Sequence, residues 1–373
     1  MTGTGGPTAA PGSAGPVTVV LGSAGRRPYL VEAFRDAVRR LGLAGEVVAL
    51  EQDPASPALA AADRGIVMPP CDHETYAPAM EEWFGRERPT LFVTVDDVEL
   101  QVLSEGLADR LRALGCAVAG PGPAGQAPSA DKYLMARFLS RVGVSVPRTV
   151  LGSRWQSLAD DADPGTAFVV KHRFGSGSSG LRLTRRRGLA DAVERAAVTA
   201  RDAHGREALR ALDAVVVQER LAGEEYGVDG VFGFGRPAGV LRGTLARRKL
   251  RIRAGQTDRA ETVDPSPFAP VVARLGAALR PTGLVDLDLV RDHHGVLWVL
   301  DINPRFGGGY PFSHVAGADA PAFLLASALG RAPDPALLHY EIGVVAERVE
   351  EVRRAEVRAV GRASEEAGTA PAA

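Results

Sequence analysis

Between Val17 and about residue 120, short apolar runs alternate with stretches of helical period: VTVVLG, PYLVEAFRDAVRR, EVVALE, GIVMPP and LFVTV. This spacing predicts parallel strands joined by crossover helices, and Pro28 suits the first turn of the first helix. Such a sheet carries helices on both faces and gathers ligands at the carboxyl ends of its strands. The chain is 45% hydrophobic and 24% charged, so a folded core is expected. A net charge of −1 leaves no basic footprint for nucleic acid or a membrane surface. No apolar run approaches the roughly 20 residues of a spanning helix. Cys71 and Cys116 build no disulfide framework, and the first residues lack a basic and apolar leader pattern. The expectation is a cytoplasmic protein with small-molecule partners.

Residues 1–16 read as a flexible tail and 17–125 as the α/β domain. The stretch AGPGPAGQAPSA, residues 119–130, reads as a linker before the helix DKYLMARFLSRVG. A small α+β lobe, 126–222, follows: TAFVVKHR, a glycine-serine loop, LRLT, a helix over 188–203 and AVVVQER. In a third region, 223–350, EEYGVDGVFG and AGVLRGTLARRK read as long strands and 268–280 as a helix. GLVDLDLV and GVLWVLDINP pair there as a hairpin turning at Asp292–Gly295. Residues 351–373 read as a charged helix and tail.

Lysine supplies three of the 44 basic residues, at Lys132, Lys171 and Lys249, against 41 arginines, and Asn303 is the sole asparagine. A retained lysine among arginines marks a place where a compact charge is wanted and a planar fork does not fit. Lys132 opens the helix after the linker, where anion binding with the helix terminus competes with plain exposure. Lys171 ends an apolar strand before FGSGSSG, whose Gly175, Ser176, Gly177 and Ser178 can place backbone N–H groups and hydroxyls on phosphate oxygens. A flexible hairpin loop is the alternative. The strand AVVVQER breaks at Glu219-Arg220-Leu221, exposing backbone groups to an adenine edge, with Glu225 in reach of ribose hydroxyls. A solvated turn reads the same residues otherwise. Strand alternation puts Asp286 and Asp288 on one face, and Asp301, Asn303 and Arg305 together. Polar pairs inside apolar strands are costly unless something binds them, and hard oxygens beside an arginine suit Mg²⁺ with bridging phosphates.

In their order, these motifs resemble the ATP-grasp superfamily, in its carbamoyl-phosphate-synthetase-like branch of single-chain carboxylate–amine ligases. The resemblance rests on DK at a helix start, VVK with a glycine-rich loop, E-x-L followed by G-E-E, and D-I-N-P-R, spanning roughly residues 17 to 330. It implies an N-terminal Rossmann-like domain, a small lid lobe and a C-terminal antiparallel lobe. It also implies phosphate contacts from Lys132 and Lys171, a closing loop at Gly175–Gly180, adenine at Glu219 and Leu221, and ribose at Glu225. Asp288, Asp301 and Asn303 would hold Mg²⁺ or Mn²⁺, and Lys171 and Arg305 would act on the phosphoryl group transferred from ATP to a small carboxylate. An amine would then displace phosphate, and a homodimer is the candidate assembly. Asp301 stands where the family more often has Glu, which bears on metal preference. A non-catalytic ATP-binding protein is the main alternative. A Rossmann oxidoreductase is weaker, since Gly22 and Gly25 do not complete G-x-G-x-x-G. Lys249 sits before an irregular arginine-rich stretch. With Arg247, Arg251, Tyr310 and His314 it is a candidate for holding a substrate carboxylate, against the reading of solvent-facing charge.

Overall fold

The computed structural model describes residues 15–349, apart from 26, 164, 176–179, 203, 204 and 209, together with 361–362. Strands β1 (Val17–Gly22), β2 (Gly45–Glu51), β3 (Arg64–Val67), β4 (Leu91–Thr94) and β5 (Ala117–Val118) form the expected parallel sheet. Alternation along β1 sends Val19 and Leu21 to one side, against Leu30 and Phe34 of the helix Pro28–Arg40. Val20 faces the other way, toward Trp83, Phe84 and Leu111.

The small lobe is an antiparallel sheet in the order β6-β9-β7-β8, from β6 (Thr149–Leu151), β7 (Ala167–His172), β8 (Arg182–Arg185) and β9 (Val215–Glu219). Phe168, Val170, Val215 and Val217 pack on Leu189, Val193 and Ala196 of the helix Leu189–Thr199. The period of two therefore turns Val169 and Lys171 to the opposite face.

The third sheet is antiparallel and six-stranded. It comprises β10 (Glu224–Phe232), β11 (Leu241–Arg253), β12 (Gln256–Val263), β13 (Gly283–Arg291), β14 (Leu297–Asn303) and β15 (Val345–Glu347), in the order β14-β13-β10-β11-β12-β15. One face is apolar: Val228, Ala246, Leu287, Leu289 and Ile302 bury against Val272, Leu275 and Leu279 of the helix Ala269–Leu279 and against Met135 and Leu139. The other face carries the charged side chains discussed below. After β14 the chain returns to the first domain, where Phe306, Tyr310 and the helix Ala320–Ala328 share a core with the helix Pro28–Arg40. Phe34 and Phe306 meet edge to face at 5.9 Å.

Three expectations need correction. Residues 119–130 are not a linker, since Pro123–Ala130 is a helix with Pro123 in its first turn. Its Gly125 allows close approach to the Leu279 carbonyl, so a glycine read as a loop signal is a packing residue. The stretch after Lys249 is not irregular: β11 runs on to Arg253 and turns through Ala254 and Gly255, both at positive φ, into β12. Of the charged segment 351–373 only Gly361–Arg362 are described, and they form β16, a strand at the edge of the parallel sheet beside β3. Residues 1–14 of the tail lie outside the described residues.

Asp131 accepts from the amides of Tyr133 and Leu134 at the start of the helix Lys132–Arg141, and Arg173 binds both its oxygens at 2.9 and 2.6 Å. Asp131→Ala removes a cap and leaves the half-buried Arg173 without its carboxylate. It should cost about 1–3 kcal/mol in urea unfolding. An unchanged midpoint would mean that this pair does not hold the helix.

Candidate active site

A cleft of about 480 Å³ opens between the four-stranded and six-stranded sheets. Lys132, Lys171, Gly175, Glu219, Leu221, Glu225, Lys249, Asp288 and Asp301 all line it, with Val169, Leu183, Ile252 and Leu300 as apolar walls. The antiparallel register places Asp288 directly opposite Asp301, and Asp286 opposite Asn303, so all four side chains share one face of β13 and β14. Lys249 Nζ donates to Asp288 at 2.5 Å. Burial opposes its charge most strongly, yet Asp288, Asp286 and Glu225 together outweigh it and raise the pKa. Lys171 is buried deeper, 3.5 Å from the Leu300 carbonyl. Burial brings its pKa down to about 8, with Asp301 opposing and Lys132 adding to the fall. Lys132 Nζ donates to the Gly175 carbonyl at 2.6 Å, tying the helix start to the glycine loop. Ser176, Gly177 and Ser178 lie outside the described residues. At the strand break, the amides of Glu219 and Arg220 donate to the carbonyls of Arg148 and Ala167, so neither amide is exposed as the sequence suggested.

Asn303, which ends β14, and Arg305 just beyond it follow Asp301 and are not among the residues that line the cleft. Arg305 binds Asp97 through Nε and Nη2 at 2.6 and 2.9 Å and approaches Asn303 Oδ1 at 3.4 Å. Asp97 opens the helix Asp97–Val102 of the first domain, and Arg305 holds its carboxyl below the usual range despite burial.

Of the proposed carboxylate-holding residues, only Lys249 lines this cleft. Arg247 is 1% exposed and clamped between Asp229, at 2.5 Å, and Asp286, at 2.9 Å. Arg251 pairs with Asp258 and Glu347 near the far end of the β11–β12 hairpin. The buried Tyr310 hydroxyl meets the Ala320 amide and His314, and His314 Nδ1 also meets the Ala318 carbonyl. These two aromatic residues staple a turn. Asp229, which sequence reasoning missed, carried the same signal as Asp286, a carboxylate within an apolar strand. A Cβ on Gly309 would lie 2.3 Å from Arg247, and one on Gly307 would lie 2.2 Å from Asp286. The glycines after Arg305 thus pack on the buried ion cluster.

A second cavity, about 220 Å³, lies at the carboxyl ends of the parallel strands and is lined by Ser23, Gly25, Glu51, Cys71, Tyr76 and Asp96 among others. Beneath it Glu99 is wholly buried, held by Thr94 and Tyr76, and burial lifts its pKa to about 7.

Removing the Arg247 guanidinium would leave Asp229 and Asp286 buried without a counter-ion. Arg247→Met should therefore lose about 3–5 kcal/mol in urea unfolding at pH 7. A loss below 1 kcal/mol would show that the clamp does not support the fold.

Residues 19–119 match a family described as the N-terminal domain of PylC-like proteins. Residues 211–352 match one described as ATP-grasp in the biosynthetic pathway with Ter operon. No curated protein sequence matches. Among solved structures, the biotin carboxylase domain of Hydrogenobacter thermophilus 2-oxoglutarate carboxylase, in complex with MgADP, ADP and bicarbonate, superimposes with a TM-score of 0.65 at 17% identity. That match covers 87% of this chain and 72% of that one. Biotin carboxylase from Campylobacter jejuni gives 0.64 at 17%, covering 87% and 73%. N5-carboxyaminoimidazole synthetase from Staphylococcus aureus complexed with ADP gives 0.64 at 14%, covering 85% and 78%. At these identities the likeness is one of fold. With its parallel N-terminal sheet, two antiparallel lobes and cleft between them, the chain has the ATP-grasp fold, and its first domain is similar to the PylC-like N-terminal domain.

Proposed function

We propose that this protein is an ATP-dependent ligase that activates a small carboxylate as an acyl phosphate and joins it to an amine. The observation that carries the reading is the pairing of Asp288 with Asp301 at one end of a cleft that also holds Lys132, Lys171 and Lys249. Three lysines beside two aspartates suit a polyphosphate with a divalent cation.

Among the described residues no three His, Cys, Asp or Glu side chains gather as a metal cage. Mg²⁺ does not require one, since it commonly takes one or two carboxylates, water and substrate phosphates. Asp288 and Asp301, with the Asn303 amide oxygen, fit that role, and Mn²⁺ accepts the same donors. When bound, the ion neutralises charge on the β- and γ-phosphates.

Lys132 and Lys171 would bind the phosphates, and Lys132 links their position to the glycine loop. The apolar walls around Leu183 and Leu300 would enclose the base, Leu221 at the strand break would meet its edge, and Glu225 would accept from ribose hydroxyls. Arg305, held in place by Asp97, would stabilise the phosphoryl group as a carboxylate oxygen attacks the γ-phosphorus and the bond to ADP breaks. An amine would then attack the acyl carbon and expel phosphate. The second cavity favours an amine, because Glu51 and Asp96 line it and no lysine or arginine among the described residues does.

The reading is tested by ADP release with candidate acids and amines. Asp301→Asn should lower turnover at least about 100-fold and abolish stabilisation by Mg-ATP, while the ligand-free protein still folds. Near wild-type turnover would remove Asp301 from the metal site.

Lys171 adds a pH signature. Burial favours its neutral form and phosphates favour the ammonium, so above pH 8 nucleotide binding must bring a proton with it. Affinity for Mg-ADP should fall between pH 7.5 and 9.5 by up to roughly tenfold per unit, and Lys171→Met should flatten that dependence. An equally steep fall in Lys171→Met would assign it to another group.

A further inference from the structure

The turn after Arg305, Phe306 to Gly309, is surrounded by guanidinium groups that are not alike. Arg247 is matched by Asp229 and Asp286, and Arg305 by Asp97. Arg27 and Arg348 have no ion pair with a carboxylate among the described residues. Each gives one N–H to this turn: Arg27 Nη1 to the Phe306 carbonyl at 2.9 Å, and Arg348 Nη2 to the Gly308 carbonyl at 2.6 Å. A guanidinium has five donors, so most of theirs remain for another acceptor.

Tyr29 follows Arg27 by two residues, in the first turn of the helix Pro28–Arg40. Its hydroxyl is buried and has no hydrogen-bond partner among the described residues. A buried hydroxyl left in that state is costly unless a ligand completes it. Burial raises its pKa, and the charges of Arg27 and Arg348 oppose that rise while those of Asp229 and Asp286 add to it. The two aspartates are bound by Arg247, and Asp286 and Asp97 favour the Arg27 charge without pairing with it. Two guanidiniums on one turn with donors to spare, and a buried hydroxyl two residues from one of them, suit an acceptor-rich anion. Gly308 is only partly buried and Arg348 is exposed, so the position is open to solvent.

We propose that Arg27, Tyr29 and Arg348 bind the carboxylate of the acid substrate, next to Arg305. This rests on the ligase reading for the identity of the anion and gives that substrate a site made jointly by the first domain and the segment after β14. It replaces the set Arg247, Arg251, Tyr310 and His314, whose partners are the carboxylates and turn groups described above. A carboxylate offers two oxygens with four lone pairs, enough for one bond from each arginine and one from the phenol.

The test is calorimetric titration of the full chain, with Mg²⁺ and a non-hydrolysable ATP analogue, using acetate, malonate, succinate, L-aspartate and L-glutamate as probes. At least one probe should bind wild-type protein saturably. Its Kd should rise about tenfold or more in Arg27→Gln and Arg348→Gln and by a smaller factor in Tyr29→Phe, with affinity for the ATP analogue unchanged. Because Arg348 is exposed, its replacement separates lost binding from lost folding. Three results would overturn the proposal: no saturable binding of any probe, unchanged Kd in both arginine variants, or a loss that falls on the ATP analogue, which would make this a nucleotide phosphate site. Wild-type protein that binds an acid here, with the same losses in the variants, but binds no ATP analogue would leave the site standing and remove the ligase reading.

Discussion

The Arg247 guanidinium, buried between Asp229 and Asp286, is the contact on which the rest of the active lobe depends. It ties β11 to β10 and β13 on the face of the sheet turned away from the apolar helices. Two carboxylates in an apolar interior would separate the strands or lose their protons, whereas a planar fork holds both at once. Gly227, Gly307 and Gly309 are shaped around that fork, since a Cβ at any of them would meet Arg247 or Asp286 within 3 Å. With β13 fixed, the register of β14 follows, and Asp301 and Asn303 come to face Asp288 and Asp286.

The same cluster joins the lobes. Arg305 leaves β14 toward Asp97, and Arg27 reaches the Phe306 carbonyl, so the segment after β14 is held by residues of the parallel domain. Phe34 and Phe306 set this polar seam on a shared apolar core. The small lobe is fastened differently. Arg173 and Asp131 hold the start of the helix carrying Lys132, and Lys132 reaches Gly175. The start of the glycine loop and the position of the Lys132 charge are thereby linked.

Much of this was legible before the structure. Asp288 and Asp301 stood out because carboxylates at period two inside Leu, Val and Ile runs need a partner, and the lysines stood out because arginine had displaced lysine everywhere else. The parallel sheet followed from alternating apolar runs and helices. The errors share a cause. Arg247 and Arg251 look equivalent in sequence, yet one is buried between two aspartates from other strands and the other is at a hairpin, a difference set only by long-range pairing. Asp97 and Arg27 lie about 200 to 280 residues before their partners in β14 and the following turn, and no local pattern announces them. Asp229 carried a local signal but belonged to no motif. The helix Pro123–Ala130 was hidden because its proline and glycine serve a first turn and a close contact, where composition alone suggests a loop.

The central claim, that an acid is activated by transfer of the γ-phosphate, is tested most directly by oxygen transfer. The acid that best supports ADP release is labelled with ¹⁸O in its carboxylate, and the released phosphate is analysed by ³¹P nuclear magnetic resonance. An acyl phosphate requires one ¹⁸O in each phosphate formed, because the oxygen that attacked phosphorus leaves with it when the amine attacks carbon. Unlabelled phosphate released in step with product would contradict the account.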